Sequence, residues 1–329
     1  MGGDAHKNFS PSRLSNDQRQ RIIDVLTSFF MDTGYFTSVT SPLPALEKHD
    51  HADVDLAVVT VDKIPRFDEI MTDAGLFDRQ GHSYLYNLDG TLHQVDVAVV
   101  PASRLDLELF FRSYGGLGDM LGHFAKYLGY KLSSKTGLMF RTALPISGTV
   151  KLYPVTADVR EICEVYLGLD YDRLLQQFST EKELFEWLRP VVPAYKNQSM
   201  NIRRQKPRPL QFRLCEWCET QTEELDVSHL SARPRLESLG RWEAIQAAYE
   251  EDVQRDADQR ELKRVFNGAT MTRYLEETHN LKLEGPRLGA FMALVRARLP
   301  PTPSQTEVYH HADAVFREQH GNWSAGSCD

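Results

Sequence analysis

The first part of the chain alternates apolar and polar positions at helical spacing. Residues 17–31 place their apolar side chains on one face of a helix. Ser15 or Asn16 can accept hydrogen bonds from the first free amides, and Gly34 can end the helix in a left-handed conformation. This pattern predicts an amphipathic helix at the N-terminal end of the chain.

Short apolar runs rich in β-branched residues follow this helix. Residues 35–40 and 54–61 predict strands, and residues 65–77 predict a short amphipathic helix with Pro at its start and Gly near its end. Two further strands flank Asp89-Gly90, a dipeptide typical of hairpin turns. The order of helix, strand, strand, helix and hairpin predicts a mixed sheet with helices on one face.

The pattern becomes mostly helical from Leu105 onward. The basic stretch 199–213 has two prolines and no acids, which predicts a loop or linker. Residues 216–299 return to charged helical patterns, and we expect the Pro-rich tail after Pro300 to fray. A chain of 329 residues is long enough for two compact units.

Composition limits the class of protein. Apolar residues make up 41% of the chain, which favours a globular protein over a disordered one. The apolar runs are too short to span a membrane, the N-terminus lacks a secretory pattern, and four cysteines are too few for a disulfide scaffold. We therefore expect an intracellular protein, cytoplasmic or nuclear, without membrane contact. Cys215 and Cys218 lack two further zinc ligands, which favours two half-buried thiols.

Two carboxylates interrupt the most apolar strand. Asp53 and Asp55 share one strand face because side chains alternate, and Asp96 lies in a similar apolar frame on the hairpin's second strand. If this strand, which is predicted to be antiparallel, lies side by side with the first, three carboxylates converge. Such a cluster repels itself unless cations fill it, and Mg²⁺ suits oxygen ligands and phosphates. The alternative is a set of exposed acids on the wet face of a sheet.

The order of these residues resembles the nucleotidyltransferases of the DNA polymerase beta superfamily, over about residues 28–190. Thr40-Ser41 stands where the family has Gly-Ser, and the Asp-x-Asp strand and a third Asp follow. The stretches "LELFFRSYGG" and "TADVREICEVYLGLDYDR" are similar to the family X branch. Thr40 replaces the small glycine, and Pro42 and Pro44 remove amide donors from the same loop, which predicts a looser hold on the triphosphate.

The resemblance implies an α+β fold, in which a nucleotidyltransferase palm precedes a mostly helical C-terminal half. It implies three regions: a palm with its N-terminal helix (1–104), a thumb-like region that completes the nucleotide site (105–195), and a helical region with a basic linker (196–329). The stretch before the first predicted strand is too short for a lyase-type domain. We therefore do not expect a gap-filling repair polymerase with its own lyase.

The resemblance also implies roles for named residues. Two Mg²⁺ ions, with Mn²⁺ as a substitute, are expected on the three aspartates, and Asp96 is expected to activate a 3′-hydroxyl. Ser41 and Lys48 are expected to contact the triphosphate, and Phe110 and Phe111 to lie near the sugar.

The C-terminal part weakly resembles the tail of CCA-adding tRNA nucleotidyltransferases. The matching residues are Asn267, Gly268, Leu283, Gly285, Pro286, Leu288 and Gly289. The alternative explanation is that these residues only start and end helices, and that Gly289 allows another backbone to come close.

A net charge of −8 excludes a generally basic nucleic-acid-binding surface but permits a local basic groove. The candidate phosphate contacts, or else members of a solvated linker, are Arg203, Arg204, Lys206, Arg208 and Arg213.

The leading hypothesis is a metal-dependent nucleotidyltransferase that transfers a nucleoside monophosphate from an NTP or dNTP to the 3′-hydroxyl of DNA or RNA and releases pyrophosphate. One alternative keeps this chemistry and changes the acceptor to a protein or a small molecule. A second alternative is a catalytically inactive module that binds nucleotide or nucleic acid.

Overall fold

A computed structural model describes residues 6, 8–47, 49–61, 64, 66–196 and 209–324, with side chains described as far as residue 319. The chain divides into two compact units. Unit one comprises Met1–Arg141 and Leu152–Arg241, and unit two comprises Thr142–Lys151 and Trp242–Asp329.

Ten strands occur in the described residues. They are β1 (Leu14–Ser15), β2 (Phe36–Thr40), β3 (Asp50–His51), β4 (Asp53–Thr60), β5 (Leu76–Gln80), β6 (Ser83–Leu88), β7 (Thr91–Val99), β8 (Tyr130–Ser133), β9 (Gly137–Ala143) and β10 (Val150–Thr156).

The α-helices of the described residues fall mainly after the first sheet. They are α1 (Asn16–Asp32), α2 (Phe67–Asp73), α3 (Leu105–Arg112), α4 (Leu117–Tyr127), α5 (Val159–Glu161), α6 (Tyr171–Leu175), α7 (Glu181–Trp187), α8 (Val192–Lys196), α9 (Pro209–Thr220), α10 (Ala232–Ser238), α11 (Trp242–Val265), α12 (Gly268–His279), α13 (Gly285–Arg296) and α14 (Gln305–Ser324). The predicted mixed fold with a helical C-terminal half is confirmed.

The helix α1 begins at a capping box. The Ser15 side chain accepts a hydrogen bond from the Gln18 amide, and the Gln18 side chain accepts one from the Ser15 amide. Ile22, Leu26 and Phe30 follow at helical spacing and are fully buried. The predicted amphipathic helix is therefore confirmed, with Ser15 as its cap.

The central sheet has five strands in the order β2-β4-β7-β6-β5. Val54, Leu56 and Val58 are buried on one face of β4 and pack in the same core as the buried residues of α1 and α2. The opposite face of β4 carries Asp53 and Asp55, so the strand alternates between core and acid site. Helix α3 also contacts β4.

The hairpin predicted at Asp89-Gly90 is present between β6 and β7. Both turn residues have positive φ, 51° and 84°, as a two-residue type I′ turn requires. The preceding helix is shorter than predicted: α2 ends at Asp73, Gly75 takes a φ of 80°, and the chain enters β5.

The expected antiparallel pairing of the two aspartate strands is wrong. The strand β7 lies parallel to β4, while β6 pairs antiparallel with β7 on its other side. The physical reason lies in the connection, because α2, β5 and β6 form a crossover long enough to return the chain in the original direction. The hydrophobic pattern fixes the face of each strand but not its direction.

The region after Leu105 is mostly helical, as expected, but it also contains a second sheet of three strands, in the order β10-β9-β8.

The expectation that the tail after Pro300 frays is wrong for its described part. That part includes α14, whose residues Val308, Ala312 and Val315 are fully buried in the core of unit two. Its polar positions are the outer face of an amphipathic helix.

No helix among the described residues is long and apolar enough to cross a membrane.

Burial of α14 leads to a stability prediction. Ala312→Asp places a charge in an apolar core and is expected to destabilise unit two by about 3 kcal/mol or more. Thr306→Asp introduces the same residue at an exposed position in the first turn of α14, where the helix dipole favours an acid, and is expected to be neutral. Thermal unfolding, monitored by limited proteolysis, measures the stability of both variants. Equal stability of the two variants would contradict burial of α14.

Candidate functional site

Three carboxylates lie on the same face of the central sheet. Asp55 is directly opposite Asp96 in the parallel register, and Asp53 is opposite Gln94. Neighbouring strands are about 4.8 Å apart, so the side chains of registered partners on one face are adjacent. The structure therefore places Asp53, Asp55 and Asp96 on one face of two adjacent strands. Alternation along the strand predicted the shared face of Asp53 and Asp55.

Two neighbouring side chains already engage these carboxylates. Arg112, at the end of α3, donates from Nη1 to Asp55 Oδ1 at 3.0 Å. Gln94 donates from Nε2 to Asp96 Oδ1 at 2.9 Å, while its buried Oε1 accepts no hydrogen bond among the described residues. Among all the residues that the structure describes, no group of three or more His, Cys, Asp or Glu side chains is arranged to hold a metal ion.

The electrostatics of Asp55 reflect this crowding. Burial raises the pKa of the Asp55 carboxyl, the charge of Asp96 raises it further, and the charges of Arg112 and Arg19 oppose the shift. Arg112 is itself held by the buried Glu108, since its Nε lies 2.5 Å from Glu108 Oε1. The guanidinium is thus shared between two acids, one of them in the candidate site.

A second arginine, Arg19 on α1, links the site to the Ser41 loop. Arg19 donates from Nη2 to Ser41 Oγ at 2.6 Å and to the Pro42 carbonyl at 3.3 Å. It is half-buried, and burial lowers its pKa while the charges of Asp55 and Asp53 oppose this shift. The sequence interpretation missed Arg19, because a single arginine in an amphipathic helix carries no signal of what it contacts.

The loop after Ser41 is fastened to the end of α3. The Leu43 amide donates to Ser113 Oγ at 3.2 Å, and the Tyr114 amide donates to the Leu43 carbonyl at 2.9 Å. Tyr114 is buried and takes a φ of 55°, a strained conformation for an aromatic residue. Gly115 lies so close that a Cβ there would stand 3.0 Å from the Ala45 side chain. These contacts fix the loop that the prolines stiffen.

The two phenylalanines of α3 occupy different environments. Phe110 is buried and lines a pocket together with Thr40 and Ser41. Phe111 packs over Gly118 of α4, where a Cβ would come within 2.3 Å of its ring. Successive residues of a helix do not face the same side, which explains the separation. The structure thus brings Phe110 to the Ser41 loop and directs Phe111 into a helix contact.

Several predicted contacts fall outside the described residues. These are Lys48, Arg203, Arg204, Lys206 and Arg208. Arg213 is described on α9, where its Nε donates to Glu181 Oε2 at 2.7 Å.

The two thiols of the Cys-x-x-Cys sequence lie on α9, where Cys215 is half-buried and Cys218 is buried. Burial is the main cause that raises the pKa of Cys215 to about 11 and that of Cys218 to about 12. Both remain protonated at neutral pH, in agreement with the structural interpretation of this pair.

The C-terminal motif serves helix geometry in unit two. Asn267 caps α12 by accepting a hydrogen bond from the Thr270 amide at 2.9 Å, and Gly285 starts α13 with Pro286 in its first turn. The space around Gly289 is open, so the expected close approach of another backbone is wrong.

Comparison with known proteins adds a distant structural likeness. No protein-family model and no curated protein sequence matches the chain. Among solved structures, it is similar to polymerase beta from Leishmania infantum in a ternary P/T complex, with a TM-score of 0.31, and in a ternary gap complex, with a TM-score of 0.30. Identity is 13% in both, over 39% of this chain and over 58% and 51% of the polymerase chains. The match thus spans between half and three fifths of those chains.

A matched pair of substitutions in α4 tests the packing of Phe111 on Gly118. Gly118→Ala forces the ring away and is expected to destabilise the protein by about 1–3 kcal/mol. Gly122→Ala meets no atom within 4 Å and is expected to stabilise the helix by up to about 1 kcal/mol. Chemical denaturation measures both changes, and a gain in stability from Gly118→Ala would rule out the described packing.

Proposed function

We propose that this protein is a metal-dependent nucleotidyltransferase. It transfers a nucleoside monophosphate from a nucleoside triphosphate to the 3′-hydroxyl of a nucleic acid and releases pyrophosphate. The observation that carries the proposal is the parallel register of β4 and β7, which sets Asp55 beside Asp96 with Asp53 on the same face.

The donor set suits a hard divalent cation. Three carboxylates on adjacent strands offer only oxygen ligands, which Mg²⁺ and Mn²⁺ accept and softer metals do not favour. Two bound ions would supply charge neutralisation at the attacking and leaving oxygens of an in-line transfer. Asp53, Asp55 and Asp96 would hold them. Because the described side chains are not arranged around an ion, binding would require the three carboxylates to turn toward it, and Asp55 to exchange Arg112, and Asp96 to exchange Gln94, for a cation.

The surroundings of Ser41 suit the phosphate groups. Ser41 Oγ and the Arg19 guanidinium are 2.6 Å apart, so a hydroxyl donor and a fixed cation stand together beside the acids. Arginine binds phosphate oxygens through several N–H donors at once. Arg19 thus provides the positive charge that the proline-containing loop lacks in its described part.

The acceptor side of the reaction rests on Asp96. Its carboxylate is positioned by Gln94 within the sheet and lies beside Asp55. A carboxylate at this place can orient the attacking hydroxyl and receive its proton, which general-base catalysis requires. A nucleic-acid acceptor is expected to show a steep loss of binding with added salt, whereas a protein or small-molecule acceptor is not.

Loss of the Asp96 carboxylate is expected to abolish transfer. Asp96→Ala should reduce Mg²⁺-dependent incorporation of labelled nucleotide, with a panel of DNA and RNA primers, to the level seen without enzyme. Asp73→Ala removes an exposed acid from the end of α2 and is the matched control, with expected activity unchanged. Thermal unfolding verifies that both variants are folded. Full activity in a folded Asp96→Ala protein would refute the proposed function.

Replacement of Arg112 is expected to strengthen cation binding. Arg112→Met removes a positive charge that contacts Asp55, so the affinity for Mn²⁺ without nucleotide should rise by roughly tenfold. Electron paramagnetic resonance of free Mn²⁺ measures the binding. Arg104→Met removes an exposed arginine from the turn before α3 and should change nothing.

Glu108 loses its partner in the same variant and is buried, so Arg112→Met/Glu108→Gln provides a second measurement on a neutralised pair. Unchanged or weaker Mn²⁺ binding in both variants would contradict competition between Arg112 and a cation.

A further inference from the structure

A pocket of about 260 Å³ lies between the Ser41 loop, α3 and the helices that follow α3. Thr40, Ser41 and Phe110 line its side toward the loop, and Leu109 and Tyr171 are among its other walls. It belongs entirely to unit one. A pocket with apolar and aromatic walls and a few polar groups is typical of small-molecule recognition.

One lining residue differs from the rest in charge. Asp106, in the first turn of α3, is the only side chain of the lining that is charged at neutral pH. An acid in the first turn of a helix needs no ligand, because the helix dipole stabilises it. Asp106 is exposed, so its placement in the wall of an otherwise uncharged pocket, and not burial of its charge, is the feature that points to recognition.

The aromatic wall that Tyr171 contributes is held in place. Arg160 lies over the Tyr171 ring, 4.6 Å from its centroid, and is fixed in turn by Glu164 at 2.8 Å and Asp172 at 2.7 Å. Burial first, and then the charge of Asp106, raise the pKa of the Tyr171 phenol. Tyr171 therefore keeps its proton and remains a hydrogen-bond donor near Asp106.

The position of the pocket relates it to the triphosphate. Ser41 belongs both to the pocket wall and to the Arg19 contact that suits phosphate. A nucleotide whose phosphates lie at Ser41 and Arg19 has its base within reach of the pocket, and Phe110 offers an aromatic surface there.

We propose that this pocket receives the base of the nucleoside triphosphate and that Asp106 makes the site selective for guanine. This proposal rests on the proposed function. A carboxylate only accepts hydrogen bonds, and its two oxygens suit two adjacent donors. Guanine presents a ring N–H and an amino group side by side on one edge. Adenine and cytosine place a ring nitrogen acceptor beside their amino group, and uracil flanks its single N–H with two carbonyl oxygens. The carboxylate therefore repels part of every edge except that of guanine.

Equilibrium binding of GTP, ATP, CTP and UTP, with Mg²⁺ present, tests the selectivity. The unmodified protein is expected to bind GTP tightest. Asp106→Asn is isosteric and should weaken GTP binding by about tenfold or more, because one acceptor becomes a donor. UTP binding should not weaken, because the amide can donate to a carbonyl oxygen of uracil that the carboxylate repels. Asp119→Asn removes an exposed acid from α4 outside the pocket and should leave all four affinities unchanged.

Inosine triphosphate identifies the contact. It keeps the ring N–H of guanine and lacks the amino group, so it should bind the unmodified protein about tenfold more weakly than GTP. In Asp106→Ala, which removes both acceptor oxygens, this difference should shrink to less than about threefold, because the amino group has lost its acceptor. An unchanged GTP-to-ITP ratio in the variant overturns the assignment of Asp106.

A substitution at the rim tests the pocket itself. Leu175 is 59% exposed and lines the pocket, so Leu175→Trp can fill its mouth without disturbing the core. Weaker binding of every nucleotide is expected, and unchanged binding overturns the placement of the base. The proposed function fails separately: it falls if Asp96→Ala retains transfer activity, whatever Asp106 selects, and it stands if Asp96 is required while Asp106→Asn leaves the preference unchanged.

Discussion

The parallel pairing of β4 with β7 is the constraint on which the candidate site depends. In this register Asp55 meets Asp96 directly, and Asp53 lies two residues away on the same face. A slip of one residue would turn Asp96 toward the core that Val54 and Leu56 build with α1 and α2. The apolar face therefore fixes the acid face. The cost of burying a carboxylate in that core keeps the register in place.

The charge balance of the site follows from this crowding. Adjacent carboxylates destabilise one another, and two arginines from different helices compensate them: Arg112 contacts Asp55 directly, and Arg19 lies near enough to oppose the shift in its pKa. Arg112 is divided between Asp55 and the buried Glu108, so it can leave Asp55 and keep a partner. Under the proposed function, this arrangement would let a bound cation replace Arg112 at Asp55 without leaving a charge unpaired.

The Ser41 loop shows how tertiary contacts offset an unfavourable local sequence. Thr40 and the two prolines deprive the loop of flexibility and amide donors. The turn after α3 restores its position, with hydrogen bonds between Leu43 and the Ser113-Tyr114 pair. The left-handed Tyr114 costs about 1–3 kcal/mol in backbone strain, which the buried ring contact with Phe178 and the hydrogen bonds help to offset. Strain placed beside a pocket and an acid cluster is typical of a functional region.

The sequence by itself determined the features that depend on near neighbours: the capping box of α1, the turn at Asp89-Gly90, the shared face of Asp53 and Asp55, and the helical C-terminal half. Interactions over a few residues decide these, and the local pattern contains them. Only the tertiary structure decided the direction of β7, the three-stranded sheet after α4, and the burial of α14. It also decided which side chains reach the acids. Arg19 lies about 22 residues from Ser41 and Arg112 about 57 residues from Asp55, so no local period links them. Contacts of that separation arise from packing, and packing follows from the fold as a whole rather than from any one segment.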